Sequence, residues 1–105
     1  MSFKEKVIQI VSKIPYGKVT SYGTIATLAG IPRGGRLVGG ILHFNSDRYN
    51  LSWHRVVNRV GFISTSCQEH TRFLQKALLE EEGIEVSDDF IVNLKEYGTT
   101  YLDYC

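Results

Sequence analysis

The feature that most constrains this chain is its punctuation. Pro15 and Gly17, then Gly30 and Pro32, cut the N-terminal half into three short helical segments. Isolated helices of that length are marginal in water, so these segments must bury a face against one another. Phe3, Val7, Val11 and Ile14 recur at intervals of four, four and three, which is one apolar stripe of a first helix. Thr20 or Ser21 supplies the cap for a second helix over 22–29, with Ile25, Ala26 and Leu28 as core candidates and Gly30 as its close. Pro32 suits the first position of a third helix running to about His43. Two short helices joined by a tight glycine-containing turn form a helix-turn-helix pattern.

The third segment carries Gly34, Gly35, Gly39 and Gly40, and each glycine inside a helix costs about 1 kcal/mol relative to alanine. Two reasons to keep them are open: close packing against another helix, or close approach to an outside surface such as a DNA backbone. Beyond it, 45–52 reads as a polar loop, 53–58 and 61–63 as short strands, and 64–67 as a small-residue loop. A helix is expected over 71–82, with Phe73, Leu74, Ala77 and Leu78 facing inward and Gly83 as its C-cap. The tail holds an Ile84–Val86 stub, a turn at Asp88 and Asp89, and Tyr97, Tyr101 and Tyr104. The expected fold class is mainly α with short β elements around a helix-turn-helix, winged-helix-like, with residues 1–105 as a single domain.

The net charge of +1 hides an asymmetry. Residues 13–59 carry seven cations (Lys13, Lys18, Arg33, Arg36, Arg48, Arg55, Arg59) and one anion, Asp47, whereas residues 60–105 carry three cations and nine anions. Such a split fits one face for a polyanion and another turned away from it. The two cysteines, Cys67 and Cys105, form no CxxC pair, which excludes a disulfide framework and a cysteine-pair zinc site. The N-terminal MSFKEKVIQIVSKI spaces charges through its apolar residues, and no apolar run approaches membrane-spanning length. A soluble cytoplasmic monomer without metal, cofactor or membrane contact is expected.

Three ordered segments carry more. They are Ile14-Pro15-Tyr16-Gly17-Lys18-Val19-Thr20-Ser21-Tyr22-Gly23, then Arg36-Leu37-Val38-Gly39-Gly40 with Asn45 beyond, then His54-Arg55-Val56-Val57. Together they resemble the DNA-binding domain of the O6-alkylguanine-DNA alkyltransferases, over roughly residues 3–83. In those enzymes the last segment reads Pro-Cys-His-Arg-Val, and the cysteine accepts the alkyl group. Here it reads Ser52-Trp53-His54-Arg55-Val56, and tryptophan in that place marks the alkyltransferase-like proteins.

The resemblance implies roles. Tyr22 matches the tyrosine that crowds a phosphate and helps rotate the target nucleotide out, or is a half-buried aromatic with a wet hydroxyl. Arg36 matches the arginine that enters through the minor groove and fills the vacated place, or is a phosphate contact. Arg33 is a further DNA contact. Trp53, Val56 and Val57, with Tyr22, would line the lesion pocket, and Asn45, His54 and Glu82 would support it. His54 and Glu82 match the pair that activates the thiol in the enzymes. An indole cannot replace that thiol, because its nitrogen lone pair belongs to the ring. The pair is then either a structural floor or a residue of catalysis, and Arg55 an ion-pair partner. Trp53 fills core space, contacts the alkyl group, or both.

The implied function is binding of O6-alkylguanine in double-stranded DNA by nucleotide flipping, without catalysis, marking the damage for nucleotide excision repair proteins. Two alternatives stand beside it: an alkyltransferase using Cys67 or Cys105, and a helix-turn-helix regulator that reads sequence. The loop over 63–70, with Cys67, departs from the enzyme pattern. So does Ser52, where proline is usual.

Overall fold

The computed structural model describes residues 1–63 and 71–99. Its elements are α1 (Phe3–Ser12), β1 (Thr20–Ser21), α2 (Tyr22–Leu28), α3 (Gly35–Tyr49), a 3-10 turn (Trp53–Arg55), β2 (Val56–Val57), α4 (Arg72–Glu81) and α5 (Leu94–Tyr97). The fold is mainly helical around a two-stranded sheet, the class expected of the sequence. The residues Ser64–Cys67, His70, Tyr101, Tyr104 and Cys105, all singled out above, lie outside the described residues.

α1 starts with a reciprocal capping box. The Ser2 hydroxyl accepts from the Glu5 N–H, and the Glu5 carboxylate accepts from the Ser2 N–H. Val7 and Val11 on its inner stripe are fully buried. For α2 the cap is Ser21, whose hydroxyl accepts from the Thr24 N–H at 3.1 Å. α1, α2 and α3 enclose one apolar cluster that includes Val11, Ile25, Val38, Leu42 and Val56. A second cluster joins Val19, Val57, Ile63, Leu79, Ile84 and Val92. Each fully buried side chain of this size contributes about 1.5–3 kcal/mol.

β1 and β2 run parallel, with Thr20 opposite Val56 and Ser21 opposite Val57. Successive strand side chains point to opposite faces, so Val56 enters the first cluster and Val57 the second. This short ladder holds the start of α2 beside the Trp53–Arg55 turn. Gly61 fixes the chain's return after β2. It lies at φ +87, and a Cβ there would collide with the Val92 carbonyl oxygen.

Several local expectations are corrected. α3 starts at Gly35 rather than Pro32 and runs through Tyr49, so most of the predicted loop 45–52 is helix. Its polar end is stabilised from within: the Asn45 amide donates to the Ile41 carbonyl at 2.8 Å and the Ser46 hydroxyl donates to the Leu42 carbonyl. Both residues are buried, and Asn50 ends the helix in the left-handed region at φ 51. Residues 53–55 form a 3-10 turn rather than a strand, and of 61–63 only Phe62 makes a bridge, to Ile91. On α4 the inward face is Gln75 and Leu79, whereas Phe73, Leu74 and Ala77 are exposed. α5 was not foreseen. No helix among the described residues is long and apolar enough to cross a membrane.

Candidate nucleic-acid interface and base site

The helix-turn-helix presents two cations outward. Arg33 lies exposed in the turn between α2 and α3, and Arg36 is exposed in the first turn of α3. Tyr22 opens α2 and, with Trp53, packs half-buried against the first cluster. Burial pushes the Tyr22 phenol above its ordinary value, so its hydroxyl remains a donor throughout the physiological range.

The glycines divide by cause. Gly34 precedes α3, and a Cβ there would press on the Ile31 carbonyl oxygen at 3.0 Å. A Cβ at Gly35 or Gly39 would meet the Tyr22 side chain at 3.6 and 3.9 Å, which is ordinary contact. At Gly40 it would meet nothing within 4 Å. Packing within the chain therefore explains Gly34 alone.

Behind this surface lies an ionic cluster. His54 Nε2 is 2.6 Å from Glu82 Oε2. Arg55 Nε donates to both Glu82 oxygens at 3.0 Å, and another of its nitrogens donates to the Ile14 carbonyl at 2.9 Å. The Gly17 N–H donates to Glu82 Oε1 at 2.8 Å. The Arg55 guanidinium also sits 5.6 Å from the Tyr16 ring centre. The Glu82 side chain is only 6% exposed. Burial pushes its pKa up, but the hydrogen bonds from Arg55, Gly17 and His54 and the charge of Arg55 outweigh that, leaving it below the ordinary value of 4.5. Glu82 is thus an acceptor at neutral pH. The hydrogen facing it must be on His54 Nε2, and Nδ1 is the acceptor of the neutral ring.

This sets a pH dependence. A carboxylate whose folded pKa is depressed stabilises the fold above its unfolded value and ceases to do so as pH falls through the folded one. Stability is expected to be flat with respect to Glu82 above about pH 5.5 and to drop below 4.5 as the group protonates. Denaturant titrations across that window check it, with a Glu82→Gln variant showing a shallower acid loss.

Sequence reasoning missed Gln75. Its amide donates to both the His54 and Val56 carbonyls at 2.9 Å, tying α4 to the turn that carries Trp53. A polar residue four positions before Leu79, on the same helix face, was the available signal. Val57, expected at the lesion pocket, is 1% exposed and packs into the second cluster. Val56 is equally buried. Asn45 lies inside α3, bonded to its own helix. Arg33 and Arg36 are exposed, Tyr22 and Trp53 pack against the same apolar cluster, and the Trp53 ring lies 6.2 Å from that of His54. Among the described residues no group of acidic, histidine or cysteine side chains is arranged to hold a metal.

Comparison with known proteins places this architecture. Residues 2–84 match the family model described as 6-O-methylguanine DNA methyltransferase, DNA binding domain. The chain is similar to the DNA base-flipping protein of Escherichia coli, at 45% identity over 95% of this chain and 76% of that one. It is 39% identical to alkyltransferase-like protein 1 of Schizosaccharomyces pombe, over 90% of this chain and 92% of that protein. The fold superposes on S. pombe Atl1 in complex with damaged DNA containing O6-carboxymethylguanine with a TM-score of 0.84, at 38% identity and covering 93% and 94% of the two chains. It also superposes on Mycobacterium tuberculosis O6-methylguanine methyltransferase with a TM-score of 0.62, at 31% identity over 78% of this chain and 48% of that one. The ordered motifs, the helix-turn-helix and these likenesses converge: the chain is alkyltransferase-like and belongs to the family of the 6-O-methylguanine DNA methyltransferase DNA-binding domain.

Proposed function

We propose that this protein binds O6-alkylguanine in double-stranded DNA, rotates the nucleotide out of the stack, and does not transfer the alkyl group. The observation that carries this reading is the setting of Trp53. It stands next to a complete His54–Glu82 pair, with ring centres of Trp53 and His54 6.2 Å apart, so the activating groups adjoin an indole that cannot serve as the nucleophile. The pair then acts as a structural floor beneath the base site.

The helix-turn-helix docks on the minor groove in this reading. Arg36 fills the place of the rotated base, Arg33 contacts the backbone, and Tyr22 crowds the neighbouring phosphate. Gly35, Gly39 and Gly40, unexplained by internal packing, let the α3 backbone approach the duplex closely. Rotation is required because the O6 position is shielded by stacked neighbours, and a poorly paired modified base leaves the stack at less cost. Binding alone repairs nothing, so a downstream partner must remove the lesion; nucleotide excision repair proteins fit that role.

Incubating the protein with an oligonucleotide containing O6-methylguanine and weighing both tests the proposal. Unchanged masses together with lesion-selective binding are expected. A methyl gain on the protein matched by its loss from DNA would establish a transferase and defeat the reading. Preference among undamaged duplexes, with equal affinity for lesion and control, would establish a sequence-reading regulator.

A further inference from the structure

The outer face of α4 carries an aromatic surface that neither the core nor the base site uses. Phe73 is 66% exposed, because the inward side of the helix belongs to Gln75 and Leu79. Its ring meets that of Phe90 edge to face, with centres 5.4 Å apart. Phe90 follows the turn at Asp88 and Asp89 and packs half-buried against the second cluster. It sits at φ 63, a left-handed conformation that a bulky side chain rarely adopts. Two hydrogen bonds hold it there. The Phe90 N–H donates to the Ser87 carbonyl at 2.9 Å, and the Phe90 carbonyl accepts from the Ile63 N–H at 2.8 Å. Strain of this kind persists only where the surroundings impose it, and it clusters at sites of function.

Cations gather on this ring. Residues 60–105 carry only three, Arg72, Lys76 and Lys95, among nine anions. Two of the three converge on Phe90: the Arg72 guanidinium lies 4.8 Å and Lys76 Nζ 5.5 Å from the ring centre. Arg72 is also 5.3 Å from the centre of the Phe73 ring. A guanidinium set against aromatic rings keeps its N–H groups to donate to a carboxylate. Neither Arg72 nor Lys76 pairs with a carboxylate among the described residues, although Asp88 and Asp89 directly precede Phe90. Exposed ring surface thus stands beside two uncompensated charges. Aromatic residues and arginine are the side chains enriched where proteins meet one another, and those that carry most of the binding energy.

We infer that Arg72, Phe73, Lys76 and Phe90 form a protein-docking site whose occupant is an acidic segment with a large apolar side chain next to its carboxylates. The apolar side chain covers Phe73, and the carboxylates accept from Arg72 and Lys76. Nucleic acid is the poorer fit. A strand brings a charge at every nucleotide into a strongly anionic part of the chain, whereas a short acidic segment needs only the two cations. No residue of α2 or α3 takes part, so duplex and partner are expected to bind together. The site gives the downstream partner of the proposed function a surface to meet, and in that role it rests on the non-catalytic reading above.

Selection of a random dodecapeptide library on the full chain tests the site. Recovered sequences are expected to carry aspartate or glutamate beside phenylalanine, tryptophan or leucine. The selected peptide, titrated by fluorescence anisotropy, should bind Phe73→Ser and Arg72→Gln at least roughly tenfold more weakly than the wild type, and Lys95→Gln within about twofold of it. Phe73 and Arg72 are both exposed, so the unfolding midpoints of the variants should match that of the wild type. Recovery of basic sequences, or of none, overturns the inference. An equal loss in Lys95→Gln would mark diffuse attraction and also overturn it. Displacement of the peptide by a single-stranded oligonucleotide would assign the patch to nucleic acid, with the same consequence. Peptide affinity should be unchanged with an O6-methylguanine duplex bound, and mutual exclusion would overturn the recruiting role. Failure of the wild type to bind that duplex, with the peptide still bound at Phe73, would overturn the DNA-binding reading and leave the docking site standing.

Discussion

Glu82→Gln is expected to cost about 3 kcal/mol of folding stability at neutral pH, the range seen when one partner of a buried ion pair is removed. For a chain of this size that lowers the melting temperature by roughly 15 °C. The reason lies in how many groups one carboxylate serves. Glu82 accepts from Arg55, His54 and the Gly17 N–H, and it is nearly buried. A glutamine keeps one acceptor oxygen and loses the charge, so the Arg55 guanidinium stays in place without compensation. The deficit should shrink at an acid pH low enough to protonate the wild-type carboxyl, below its depressed folded value. Thermal and denaturant unfolding at both pH values measure this. Equal stability of the two proteins at neutral pH would show that the cluster does not hold the fold and would restore a chemical role to the His54–Glu82 pair.

That cluster also explains what was legible in the sequence. His54 and Arg55 were readable because they sit in an ordered motif and Glu82 because the family resemblance pairs it with His54, and the structure brings the three within hydrogen-bond reach across 27 and 28 residues. The first two helices were legible because Val7 and Val11 repeat at a helical interval and because Ser21, one of the two residues offered as a cap, does cap α2. Errors arose where tertiary packing overrode local polarity. Asn45 and Ser46 read as loop residues, yet each bonds back to a carbonyl one turn earlier and is carried inside by Leu42 and Leu51. Gln75 was missed for the same reason reversed. A glutamine signals surface by composition, but two carbonyls of the Trp53 turn and β2 required a buried donor. Phe73 and Leu74 were placed inward by hydrophobicity alone, and the helix turns on Gln75 and Leu79 instead.

The structural role of the cluster bears on Trp53. An activating pair kept only for chemistry has no use beside an indole. A pair that anchors Gly17, Arg55 and the turn after α1 is retained whatever residue precedes it. On the proposed reading, an indole in place of a nucleophile leaves the support of the base site intact, because the Glu82 contacts that hold it do not involve a reaction.

Arg36→Ala is expected to lower affinity for an O6-methylguanine duplex about a hundredfold while lowering affinity for the undamaged duplex far less, so that lesion preference collapses. Rotating a nucleotide out costs a few kcal/mol, and the vacated place must be filled for that state to persist. Arg36 is exposed in the first turn of α3, free of any ion pair among the described residues, and flanked by glycines that let the helix come close. Losing the filler leaves about 3 kcal/mol of unstacking uncompensated, which is the hundredfold. Tyr22→Phe is a milder companion. It removes one hydroxyl donor while keeping the ring against the first cluster, so a loss of about 1 kcal/mol is expected on the lesion duplex and a smaller one on the control. Because burial raises the Tyr22 phenol, that contribution should not vary between pH 6 and 9 through Tyr22 ionisation. Fluorescence anisotropy on paired lesion and control duplexes reads all of this, with 2-aminopurine beside the lesion reporting unstacking. Undiminished lesion preference in both variants would sink the assignment of Arg36 and Tyr22 to flipping, and α3 would then be a backbone-docking helix with lesion choice made at the Trp53 site alone.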